Sequence, residues 1–151
     1  MSGLYFEDFE VGKVYKHALG RTVTEMDNVL FTCLTMNTQT LHLDEAFAQT
    51  TQHGQRIVNS IFTLGLLVGM TVTELTLGTT LGNLSMTNIR FPLPVFHGDT
   101  LRAETEILDT KASRSKPDRG VVFFAHRAFN QRDEEVAYCE RAGMMMRRPA
   151  D

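Results

Sequence analysis

Among the five histidines of this 151-residue chain, His42 stands where chemistry is easiest to place. It falls in Leu41-His42-Leu43, within a polar break (Asn37-Thr38-Gln39-Thr40) between two helix-like stretches and ahead of a long apolar one. A cleft can form at such a break. An imidazole there can act as a general acid or base, because its protonation changes near neutral pH. The plainer alternative is a loop histidine bonded to backbone. Asp44, two residues on, could orient the ring, but an aspartate before Glu45-Ala46-Phe47-Ala48 is better read as a helix cap. His42-Leu43-Asp44 with the distant His97 also spells a 2-His-1-carboxylate iron site. The long apolar helix does not suit the scaffold of such oxygenases, so no metal is expected. Asn59-Ser60 caps the apolar segment; the free N–H groups of that helix start, together with its dipole, could hold a developing oxyanion. Arg114, Lys116 and Arg119 could reach phosphates, although solvated hairpin charges are the commoner case. Met144, Met145 and Met146 read as strand core and edge.

The elements that must position these residues follow from capping and period. Thr24 with Asp27 three residues later marks a helix start, continued by Val29, Leu30, Phe31, Cys33 and Leu34. Asp44 caps a short helix over Glu45–Thr50. Asn59-Ser60 opens a helix over Ile61–Leu75 whose apolar residues lie on all sides, which implies burial or a membrane. At about 15 residues, with Gly65 and Gly69, it is shorter than the roughly 20 residues of a membrane span, so it reads as a buried central helix. A first strand is expected over Val11–Ala18. Beyond Gly78 the period becomes two: Leu81–Phe91, then Leu101, Ala103, Thr105 and Ile107, then Val121–Asn130 and Val136–Met146, with turns at 116–120 and 131–134. The stretch from Phe91 to Thr100, with Pro92, Pro94 and Gly98, reads as a bent connection. An antiparallel meander following one apolar helix predicts an α+β fold with the sheet wrapped round that helix.

Composition bounds the partners. A chain of this length fits one domain, 1–151, and buries roughly two-thirds of its unfolded surface without staples. A formal net charge of −3 with no basic stripe argues against nucleic acid. Two separated cysteines, Cys33 and Cys139, give no disulfide framework. Met1–Asp8 has neither the basic nor the apolar region of a signal peptide, so a reduced, cytoplasmic location is expected.

An ordered set of short motifs carries a resemblance over nearly the whole chain. It comprises Tyr5-Phe6-Glu7-Asp8-Phe9 with Gly12, Thr22-Val23-Thr24-Glu25, and Leu41-His42-Leu43-Asp44 with Phe47-Ala48. It continues with Ile57-Val58-Asn59-Ser60, Arg90-Phe91-Pro92 with Pro94-Val95, and Gly98-Asp99-Thr100. Together they resemble the MaoC-like dehydratases, which include the (R)-specific enoyl-CoA hydratases. The resemblance implies a hot-dog fold, a dimer or dimer of dimers, an acyl-CoA or acyl carrier protein thioester as partner, and no cofactor. It implies a catalytic role for His42, with Asn37 at the position where the family carries an Asp five residues earlier, and a Ser60 N–H for the thioester oxygen. Asn59, Asp44, Arg90, Phe91, Pro92, Gly98, Arg114 and Lys116 then belong to the substrate's surroundings. Where the family usually has His-Gly, this chain has Asn59-Ser60. The stretch Thr35–His42 is similar to a subgroup associated with mesaconyl- and itaconyl-CoA hydration.

The expected reaction is therefore reversible addition of water to an enoyl thioester. A neutral amide at position 37 cannot take a proton as a carboxylate can. His42 then acts alone or with a borrowed carboxylate, for which Asp44 and Asp27 are the candidates. A thioesterase sharing the fold and a non-catalytic acyl-thioester binding protein are the alternatives.

Overall fold

The computed structural model describes residues 3–149. Each helix begins where a side chain can accept the first free N–H. Thr24 caps α1 (Glu25–Leu34) in a capping box: Thr24 Oγ1 accepts from Asp27 N, and Asp27 Oδ2 accepts from Thr24 N at 2.8 Å. Helix α1 ends on Met36, whose φ of 56° is left-handed, and the N–H of Asn37 closes the turn on the Thr32 carbonyl. A short α2 (Thr40–Leu43) follows, then α3 (Glu45–Gln49), capped by Asp44 Oδ1 accepting from Phe47 N. Asn59 caps α4 (Ser60–Leu75) by accepting from Ile61 N.

The strands are β1 (Val14–Thr22), β2 (Thr80–Arg90), β3 (Thr100–Ala112), β4 (Arg119–Phe129) and β5 (Glu135–Met146). They form an antiparallel sheet in the order β1-β3-β4-β5-β2. The period-two residues Leu101, Ala103, Thr105 and Ile107 all point into the core. There Leu64, Leu67 and Met70 of α4 pack with Leu101, Ala103, Ala128 and Ala137 of three strands. The α+β architecture and the antiparallel sheet wrapped round one apolar helix are as the sequence leads one to expect.

Three local expectations are corrected. His42 lies inside the one-turn α2 rather than in an open break. Strand β1 starts at Val14 and runs to Thr22, because Leu101 and Thr100 of β3 pair with Arg21 and Thr22. Helix α4 is not buried on all sides of a single chain: Ile61, Gly65, Gly69 and Thr73 form an exposed stripe one turn apart.

A polar chain crosses the core beneath α4. Arg141 Nε donates to His126 Nε2 at 3.0 Å, so His126 carries its proton on Nδ1 and donates to Thr105 Oγ1 at 2.8 Å. The Thr105 hydroxyl then donates to His17 Nε2, and His17 Nδ1 donates to the Glu74 carboxylate, both at 2.8 Å. Arginine only donates and a carboxylate only accepts, so each donor along the chain has an acceptor and His126, which accepts from Arg141, is a neutral imidazole. Burial, then the neighbouring Arg141 and His17, hold the His126 pKa well below its ordinary value.

Candidate active site

Helices α1 to α3 form a small cap against the start of α4, and the chemistry-bearing residues gather along the segment that leads into α4. His42 is half-buried, and its Nδ1 lies 2.8 Å from the Ile57 carbonyl. A carbonyl can only accept, so Nδ1 carries a hydrogen, and in the neutral ring the lone pair is on Nε2. Three residues beyond Ile57 the chain enters α4. Asn59 Oδ1 takes the Ile61 N–H and the Asn59 carbonyl takes that of Thr63. The Ser60 N–H lies in the first turn, where helix N–H groups have no intrahelical acceptor and the dipole favours negative charge.

Ser60 also lines a cavity of about 360 Å³, together with Gln52, His53, Ile57, Val58, Thr63, Val136 and the bend from Phe91 to Val95. That volume suits a small acyl group. None of these lining residues is acidic. The bend is held by Val58 N donating to the Val95 carbonyl and by Gly98, whose φ of 93° lets its N–H reach the Val23 carbonyl.

The remaining sequence candidates are placed as follows. Asn37 is half-buried at the end of α1, and its carbonyl oxygen accepts from Gln39 N at 2.9 Å, so the group it can offer a ligand is its NH2. Asp44 is the exposed cap of α3. Asp27 is held by the α1 cap and by Arg21. Arg90 lies over the Tyr138 ring at 4.2 Å. Arg114 and Lys116 sit in the exposed β3–β4 hairpin, at the opposite end of the sheet from this cavity in the same chain. His42, Asp44 and His97 do not converge. The His42 Nδ1, the Asp44 carboxylate and the His97 Nε2 each face a different partner, and no cluster of three metal-ligating side chains stands among the described residues.

Sequence reasoning did not find Asn28. It is fully buried on α1, and its amide donates to the carbonyls of His42 (3.3 Å) and Ile57 (3.2 Å) and to His97 Nε2 (3.0 Å), while its oxygen accepts from Asn59 N at 2.8 Å. Arg56 fastens α1 to α3 by pairing with Glu25 and Glu45, each at 2.6 Å. Burial, then Arg56, lowers the pKa of His97, against the opposing pull of Glu25 and Glu45.

Known proteins share this chain's sequence pattern and fold. The MaoC-like domain model matches residues 8–122. A mesaconyl-CoA hydratase of Cereibacter sphaeroides is 32% identical over 97% of this chain, which spans 42% of that protein's length. The crystal structure of a MaoC domain protein dehydratase from Chloroflexus aurantiacus superposes with a TM-score of 0.91 at 30% identity, over 97% of this chain and 41% of that one. A Mycobacterium tuberculosis protein with a double hot-dog fold superposes at 0.88 with 22% identity, over 99% of this chain and 46% of the other, and shows the fold alone. With its five-stranded hot-dog sheet, its central helix and the family's matched sequence in one chain, the protein belongs to the MaoC-like dehydratase family.

Proposed function

We propose that residues 1–151 form one hot-dog domain that hydrates and dehydrates an enoyl (3-hydroxyacyl) thioester of CoA. One observation carries this reading: the segment Ile57–Ser60 holds the acid/base imidazole through its first carbonyl and presents an oxyanion donor at its last residue. Acid/base and oxyanion stabilisation are thus built on four consecutive residues. In the forward direction His42 Nε2 takes a proton from water as the water oxygen bonds to C3. The C2–C3 π electrons shift to make the thioester oxygen enolate-like, and the Ser60 N–H stabilises that charge. The imidazolium then returns its proton to C2, which balances the addition. Asn37 contributes an NH2 donor to the water oxygen.

The substrate class follows from charge. The cavity is lined by Gln52 and His53 with no acid, and the family's carboxylate is replaced by the amide of Asn37. An enoyl group carrying its own carboxylate meets no like charge in that cavity or at position 37, which lies outside the cavity lining, in line with the mesaconyl-CoA relative. The assay is loss of the enoyl-thioester absorbance with mesaconyl-CoA and crotonyl-CoA, with product identified. A 3-hydroxyacyl thioester supports the reading, whereas free thiol makes the protein a thioesterase and absence of turnover makes it a binding protein. Asn37→Asp is expected to lower kcat/KM for the carboxylate-bearing substrate by about tenfold through like-charge repulsion. A gain on that substrate would remove the charge argument.

The working unit is a homodimer. Strand β2 is an edge strand with Leu81, Leu84 and Ile89 exposed, and α4 exposes its Ile61–Thr73 stripe. Pairing with a second copy covers both and removes an unpaired edge, and relatives twice as long carry the equivalent mass in one chain. Sedimentation at micromolar concentration is expected to give twice the chain mass or a multiple; a clean monomer contradicts it. Cys33 and Cys139 are both free, in keeping with a reducing compartment such as the cytoplasm.

A further inference from the structure

Helix α1 is built inside out. Its buried residues are Asn28 and Thr32, while Met26, Leu30 and Leu34 are exposed at 71%, 53% and 74%. Burial of apolar area alone would turn this helix the other way, since an amide withdrawn from water costs free energy unless its hydrogen bonds are replaced. In Asn28 they are replaced in full, and by one particular set of partners. The oxygen must face the Asn59 N–H, so the NH2 must face the carbonyls of Ile57 and His42 and the lone pair of His97 Nε2. The Ile57 carbonyl is the same one that receives the His42 Nδ1 proton. Asn59 is the cap of α4 and the residue before the oxyanion donor, and its own amide is held by Thr32 Oγ1 at 3.3 Å.

We propose that Asn28 is a positioning residue that sets the distance and angle between the His42 imidazole and the Ser60 N–H. The two groups act on opposite ends of the same enoyl thioester, at C3 and at the thioester oxygen. They come from different elements, and Asn28 bonds to the backbone carbonyl of His42, to the Ile57 carbonyl that holds the ring, and to the N–H of Asn59, the residue before Ser60. His97 supports it from outside by accepting one amide hydrogen, which gives a role to a histidine that the hydration chemistry does not itself employ. This role rests on the hydratase reading for its effect on turnover, but the bracing of the imidazole is a property of the free protein.

The test uses the full chain carrying Asn28→Asp or Asn28→Ala. Aspartate keeps the volume and the acceptor for Asn59, but it sets an oxygen against the carbonyls of Ile57 and His42. Alanine removes the brace altogether. With enoyl-CoA substrate, kcat is expected to fall at least about tenfold with KM within about threefold, as for a small misplacement of reacting groups. Independently, nitrogen-15 NMR of the His42 ring is expected to show the Nδ1–H tautomer in the natural protein and a mixture in the variants. If Asn28→Ala does not fold, His97→Ala, at the half-buried outer side of the brace, is expected to shift the same ring signal. An unaltered His42 tautomer in a folded variant overturns the proposal, as does unaltered kcat when the natural protein is active. A natural protein that hydrates no enoyl-CoA instead removes the hydratase reading, and the ring signal alone then decides whether Asn28 braces His42.

Discussion

Replacement of His42 by alanine is expected to lower kcat for enoyl-CoA hydration by about a hundredfold or more, the size of a lost general acid/base. The expectation follows from the ring's geometry. Its Nδ1 is committed to the Ile57 carbonyl, so the proton-accepting nitrogen is held in one orientation, and the two candidate carboxylates, Asp27 and Asp44, are occupied in helix capping. His42→Gln retains a donor for the Ile57 carbonyl but supplies no base, and it is expected to be impaired to the same order. The ring contributes one hydrogen bond to the fold, so the loss of stability stays near about 1–2 kcal/mol. Steady-state kinetics beside a thermal melt separates the two effects. If His42→Ala keeps its turnover on a substrate the natural protein hydrates, the chemistry lies elsewhere in the chain.

The largest effect on stability is expected at Thr105, the middle of the buried polar chain. Thr105→Val conserves volume, yet it leaves His126 Nδ1–H without an acceptor and His17 Nε2 without a donor. At about 1–3 kcal/mol for each of the two stranded groups, the variant should lose about 2–6 kcal/mol, read from denaturant unfolding. The same chain sets a pH dependence. The folded pKa of His126 lies well below that of the unfolded chain, so the unfolded state binds the extra proton. Stability is then fully present above about pH 6.5 and falls as the pH drops below it, at most by about 1.4 kcal/mol per pH unit for this one proton. His97, also lowered, acts in the same direction. Glu25, Asp27 and Glu74 have pKa values below those of ordinary carboxylates, so their contribution is lost only at more acid pH. His126→Gln can accept from Arg141 and donate to Thr105 without titrating, and it should flatten the slope between pH 6.5 and 5. An unchanged slope in that variant would assign the acid sensitivity to other groups.

The parts of the fold that could be read from sequence are those governed by neighbours in the chain. Thr24, Asp44 and Asn59 each cap the helix expected of them, because a cap is a contact over two or three residues. The alternation at Leu101–Ile107 fixes which face of β3 is buried. By contrast, β1 extends to Thr22 through pairing with β3 and not through alternation of its own, since Leu19, Gly20 and Arg21 have no period. Helix α2 is a single turn and too short to leave a period. For the candidate site, His42 and Asn59-Ser60 were visible as a histidine beside a cap, and the family pattern pointed to Asn37. Asn28 was not visible, because Asn and Thr four residues apart on a helix read as a solvent face. The polar chain was equally hidden: Glu74, His17, Thr105, His126 and Arg141 come from α4 and four different strands and meet only through the register of the sheet.

The left-handed turn at Met36 bears on how such a protein could be engineered. Methionine there pays about 1 kcal/mol or more for a conformation that glycine adopts freely, and it stands immediately before Asn37. A glycine at 36 removes that conformational cost, but it also widens the range of angles open to the unfolded chain and to the turn itself. The methionine that strains the helix end therefore also narrows the backbone angles of the turn from which Asn37 projects. At this residue heat tolerance and order of the site oppose each other, and a search for sturdier variants that measures melting alone would be drawn to the substitution that loosens the neighbouring amide.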